Sequence, residues 1–216
     1  MIRSAIVRSL VAVLVLSSCV AMPQQETRYL ALGDSYTIGE SVPEAERFPN
    51  LLARQLAIPP PRIIARTGWT TDELNAAIDA ANVTGTYDLV TLLIGVNNQY
   101  RGRDAEEYRR EFAALLGRAI GFAGGAPGKV TVVSIPDWGV TPFAEGRDRA
   151  KIAAEIDRYN AINREEAQRA GARYAGITPI SRGSDPNLVA SDGLHPSGQQ
   201  YGEWVKVIGR VAELQH

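Results

Sequence analysis

Cysteine occurs once in the 216 residues, at position 19, and histidine twice, at positions 195 and 216. One cysteine excludes a disulfide within the chain, and no Cys/His cluster has the spacing of a zinc site, so no metal is expected. Neither sign of charge prevails: 23 Lys plus Arg face 24 Asp plus Glu, a formal net charge of -1. Without a broad basic field, nucleic acid is not an expected partner. Neither the P-loop pattern nor Gly-x-Gly-x-x-Gly occurs, which removes the usual phosphate and dinucleotide signatures, and no cofactor is expected. The N-terminal apolar run, residues 10–16, is too short to span a bilayer.

What that run does offer is a leader. Arg3 and Arg8 precede it and the small residues Ser17 and Ser18 close it, the layout of a secretory signal. Leu16-Ser17-Ser18-Cys19 resembles the bacterial lipobox, in which the signal is cut before a cysteine that then carries lipid. The expected organisation is a lipoprotein signal over 1–18, a polar tether over 19–27 and one folded domain over 28–216. The protein would be exported and held at a membrane through lipid on Cys19. The alternative is an incidental cysteine within a discarded signal.

Beyond the tether, apolar runs of strand length alternate with helical patterns. Strands are predicted over 29–32, 62–65, 89–94, 130–135 and 173–177, and helices over 45–56, 72–81, 104–122, 147–170 and 197–214. The alternation predicts a mostly parallel sheet covered on both faces, since parallel neighbours need crossover connections. Trp204 falls within the last helix and reads as core. The run from Tyr108 to Glu111 reads as a solvated helix face.

In open sheets of this kind ligands bind beyond the carboxyl ends of the strands. The residues standing there are Gly33-Asp34-Ser35-Tyr36, Thr67-Gly68-Trp69, Gly95-Val96-Asn97-Asn98 and Pro136-Asp137-Trp138, and a loop from Ser191 to Pro196 precedes the last helix. His216 is terminal, where order is least expected, which leaves His195 as the histidine base. Asp192 lies three residues before it. A serine hydroxyl is a weak nucleophile until a base takes its proton, and the base needs a partner to fix its tautomer. Ser35, His195 and Asp192 would fill these roles.

Gly33-Asp34-Ser35, Gly68, Gly95-Val96-Asn97 and Asp192-Gly193-Leu194-His195 resemble, in order, the four blocks of GDSL/SGNH hydrolases. The resemblance runs from about residue 28 to the C-terminus. It implies a flavodoxin-like three-layer α/β/α sandwich with a five-stranded sheet, and hydrolysis of small-molecule, lipid or glycan esters. It further implies that Ser35 attacks the carbonyl, that His195 is base and then acid, and that Asp192 orients it. The implied oxyanion hole combines the backbone N–H groups of Ser35 and Gly68 with the side-chain amide of Asn97. Glycine at 68 would let a backbone donor approach a ligand with no Cβ in the way. Tyr36 and Asn98 depart from the motif, replacing its leucine and an aspartate that often follows block III.

Each block has a local alternative. Gly, Asp and Ser are common turn residues, and Ser197 reads as a cap for the last helix. Trp69 and Trp138 could line a pocket or shield the sheet end. A non-hydrolytic reading takes Ser35, Thr37 and Gly39 as a phosphate-cradling loop for a flavin, which Asp34 would oppose by charge. The α/β-hydrolase elbow, Gly-x-Ser-x-Gly, is not matched, since Tyr36 and Thr37 follow Ser35.

Overall fold

The computed structural model describes residues 26–212. The expected signal, Cys19, most of the tether and His216 lie outside the described residues. Within them, β1 (Tyr29–Gly33), β2 (Arg62–Ala65), β3 (Leu89–Leu93), β4 (Val130–Val133) and β5 (Arg173–Ala175) form one sheet in the order β2-β1-β3-β4-β5. Every pairing is parallel, so the sheet expected as mostly parallel is wholly so. Every residue of β1, β3 and β4 is buried, which is why those runs carry almost no polar side chains.

β3, β4 and β5 are shorter than their apolar runs. Ile94, Ile135 and Ile177 leave the ladder yet stay fully buried, tucked beneath the loops that follow. Hydropathy marks burial and does not separate ladder residues from these.

Eight α-helices fill the connections among the described residues: α1 (Ser35–Ile38), α2 (Phe48–Gln55), α3 (Thr71–Ala80), α4 (Val96–Tyr100), α5 (Ala105–Phe122), α6 (Arg149–Ala170), α7 (Thr178–Ser181) and α8 (Gly198–Val211). α2 starts later than expected because Pro49 has no N–H to bond the Ala45 carbonyl, and residues 44–46 form a 3-10 turn instead. Side-chain caps on Asp104, Asp148 and Ser197 begin α5, α6 and α8. None of the described helices is long and apolar enough to cross a membrane.

On one face α2 packs against α8, with Phe48, Tyr201 and Trp204 in ring contact at 5.0–6.3 Å. On the other, α5 packs against α3 and α6. The result is the three-layer α/β/α sandwich. Trp204 is core, as its position suggests. Tyr108 is not part of a solvated face: it is fully buried, stacks on Tyr159 at 4.4 Å, and donates its hydroxyl hydrogen bond towards Asn163 and the Ile94 carbonyl. It sits under the turn at Gly95, where an added Cβ would collide with its hydroxyl. That glycine also takes φ 126°, so the turn leaving β3 requires it twice over.

Candidate active site

β1 ends at Gly33 and the chain turns at once into α1. Asp34 caps this helix: Oδ1 accepts the Tyr36 N–H at 3.0 Å, and its carbonyl accepts from Thr37 and Ile38. Ser35 is therefore the first helical residue, and its own N–H has no acceptor among the described residues. Asp34 is fully buried, and desolvation pushes its carboxyl up to about 7 against the pull of the Tyr36 and Asp34 backbone N–H groups. It holds the turn; the pocket lining starts at Ser35.

His195 and Asp192 come from a loop folded upon itself. Asp192 Oδ1 accepts the N–H groups of Leu194 at 2.9 Å and His195 at 3.0 Å, around a turn in which Gly193 takes φ 71°. Asp192 Oδ2 lies 2.6 Å from His195 Nδ1 and accepts from Ser41 Oγ, also at 2.6 Å. Burial would raise this carboxyl, but the hydrogen bonds from Ser41, the His195 ring and the two backbone N–H groups outweigh it and hold Asp192 well below the usual carboxylate range. An ionised Asp192 only accepts, so Nδ1 carries the hydrogen and Nε2 is left as the acceptor nitrogen. The edge of Tyr36 packs on the imidazole at 5.8 Å and 65°. Thus Tyr36, where the motif has leucine, buttresses His195.

Ser35 and His195 line one pocket of about 190 Å³ with Tyr36, Gly68, Asn97, Tyr100, Trp138 and Phe143 among its walls. The Ser35 hydroxyl has no hydrogen bond within 3.5 Å among the described residues, a common condition before substrate draws nucleophile and base together. Gly68 follows β2, takes φ 89°, and its N–H has no acceptor among the described residues. An added Cβ there would meet nothing nearer than Arg101 Nη2 at 4.0 Å, so backbone conformation and not crowding by the protein calls for glycine. Asn97 spends one amide hydrogen on the Trp69 carbonyl at 2.9 Å and keeps the second.

Asn98 faces away from the pocket and is fully buried, with Oδ1 accepting from the Thr71 N–H at 3.1 Å and Nδ2 donating to Thr71 Oγ1 at 2.6 Å. Arg101 adds a bond from Nη2 to the Gly68 carbonyl at 2.7 Å. Three residues of α4 and its end thus tie this helix to the segment after β2. Of the two tryptophans, Trp138 lines the pocket while Trp69 is half-buried and offers its carbonyl to Asn97. Thr37 is fully buried and the Gly39 N–H is used by the Ser35 carbonyl, so a phosphate-cradling loop has lost two of its three contacts.

Sequence reasoning did not reach Ser41, Tyr100 or Phe143. Ser41 lies in an unpatterned loop at φ 65°, and 151 positions separate it from its partner Asp192. Tyr100 and Phe143 are set beside Ser35 only by the way the segments after β3 and β4 fold.

The GDSL-like Lipase/Acylhydrolase family model matches residues 31–202. Solved structures share the fold. An extracellular lipase from Streptomyces rimosus superposes with a TM-score of 0.69 at 20% identity, covering 86% of this chain and 99% of its own. Axe2, an acetylxylan esterase from Geobacillus stearothermophilus, gives 0.67 at 17% identity, covering 89% and 96%. TesA gives 0.67 at 16% identity, covering 87% and 98%. No relative matches among curated proteins. A family match over residues 31–202, most of the chain, on a fold these structures share, establishes that this chain belongs to the GDSL-like Lipase/Acylhydrolase family.

Proposed function

We propose that the chain hydrolyses carboxylic esters through an acyl-enzyme on Ser35. The observation that carries this reading is His195, its tautomer fixed by Asp192, lining one apolar pocket together with Ser35. His195 Nε2 takes the Ser35 proton as Oγ attacks the carbonyl, and Asp192 stabilises the imidazolium that forms. The carbonyl oxygen, now negative, is met by the N–H groups of Ser35 and Gly68 and by the second amide hydrogen of Asn97. Collapse expels the alcohol, which receives the proton from His195. Water, deprotonated by the same nitrogen, then releases the acid and restores Ser35.

A pocket of about 190 Å³ is small beside the roughly 300–1,000 Å³ that holds a drug-sized ligand, which favours short acyl groups. In a p-nitrophenyl ester series, kcat/KM should peak at acetate to butyrate and fall by at least about tenfold at dodecanoate, whose chain outgrows the pocket. If no ester of the series releases p-nitrophenol, the reading is wrong.

The chain's organisation belongs to the same proposal: a signal over 1–18, lipid on Cys19, a short tether, and catalysis confined to 28–216. The charge-flanked apolar run and the cysteine after Leu16-Ser17-Ser18 support it. Expressed in a bacterium, the full chain should partition into detergent, and Cys19→Ser should lose the lipid mass, because each buried methylene of an anchor contributes about 0.8 kcal/mol. The fragment from residue 26 should keep full activity. A mature N-terminus elsewhere, without lipid, would refute the anchor.

A further inference from the structure

The exposed large apolar side chains among the described residues are Tyr100, Val140 and Phe143, and two of them line the mouth of the Ser35 pocket. Tyr100, Trp138 and Phe143 form a triangle of rings with centroids 5.5–6.3 Å apart. Arg147 lies over all three, its guanidinium carbon 5.4 Å from the Tyr100 and Trp138 centroids and 5.1 Å from that of Phe143. One guanidinium N–H donates to the Tyr100 hydroxyl at 3.3 Å. Among the described residues no carboxylate comes within 4.0 Å of this cation, so its charge is not already neutralised by an ion pair. The pocket lining itself holds no carboxylate and no lysine or arginine.

We infer that Arg147 is a specificity residue which receives an anionic group on the substrate, a carboxylate or phosphate carried one ring or a short chain away from the scissile ester. This rests on the ester-hydrolase reading of the same pocket. Contact with three rings and the bond to the Tyr100 hydroxyl hold the guanidinium in place, so less freedom is lost when its remaining N–H groups bind an anion than for a solvated side chain. Those N–H groups match the two oxygens of a carboxylate. The apolar walls between Ser35 and the rim suit a ring or short alkyl spacer, and they repay nothing for a charge placed deeper. Arg147 binds at the rim and takes no part in bond making.

The test compares 4-acetoxybenzoate with its neutral methyl ester, which present the same acetyl group and ring. In wild type the anion should show the lower KM, and Arg147→Gln should raise KM for the anion about tenfold with kcat and the neutral ester little changed. The preference should shrink as salt rises, and Arg147→Lys should recover only part of it, since an ammonium keeps the charge but loses the planar fork of N–H donors. Binding of both esters to the Ser35→Ala chain by calorimetry reads the same preference without turnover. Equal effects of Arg147→Gln on both esters, or none on either, would overturn the inference while hydrolysis of the methyl ester left the catalytic reading standing. Anion-selective binding lost in Arg147→Gln, with neither ester hydrolysed, would keep the inference and sink the catalytic reading.

Discussion

Ser35→Ala is expected to lower kcat by about 10⁶ and to abolish labelling by an active-site phosphonate, because no acyl-enzyme can form without the hydroxyl. The fold should persist. Ser35 makes no side-chain hydrogen bond among the described residues, and its structural task, opening α1, falls to the backbone and to the Asp34 cap. Equal melting temperatures with lost turnover would therefore locate the defect in chemistry. Residual hydrolysis should remain above that in water, since the proposed oxyanion donors, the N–H groups of residue 35 and Gly68 and the Asn97 amide, are left in place. Labelling that survives in the variant at another serine would remove Ser35 from its proposed role.

Asn97→Ala is expected to cost about 10² to 10³ in kcat with KM little altered, because its free amide hydrogen meets an oxygen whose charge grows only as the tetrahedral intermediate forms. The neighbouring Asn98→Ala removes the same chemical group from a site of a different kind. Sequence alone suggests a mild change there. The structure sharpens this: a buried amide with two hydrogen bonds to Thr71 is lost, and stability should fall by about 1–3 kcal/mol while kcat per folded molecule stays near wild type. Steady-state kinetics and thermal melts on both variants make the separation. A kcat loss in Asn98→Ala with none in Asn97→Ala would move the oxyanion assignment by one residue.

Much of this was legible in the sequence because the strands and the site use signals that survive without tertiary knowledge. β1, β3 and β4 are buried on both faces and so read as unbroken apolar runs, and Ser35 and Asn97 stand just beyond the first two of them. With only His195 outside the C-terminal position, counting alone singles it out as the candidate base. The helices α1, α4 and α7 escaped because four or five residues give no period to detect. Tyr108 misled because its polar neighbours suggest solvent, whereas its ring fills the space under Gly95. Ser41 and Arg147 carry no local signature; each acquires its meaning from a partner that only the folded chain supplies.

The ties from α4 to the segment after β2 have one more consequence. β2 is an edge strand with a single neighbour, and Gly68 stands at its end, while Asn97 follows β3 on the far side of β1. Left to the sheet alone, these two proposed donors would drift independently, each with the fraying of its own strand. The bonds from Asn97 to Trp69, from Asn98 to Thr71 and from Arg101 to Gly68 bridge over the end of β1 and make the two positions one mechanical body straddling Ser35. Thermal motion then displaces the pair together, and the spacing between donors stays fixed even as the edge breathes.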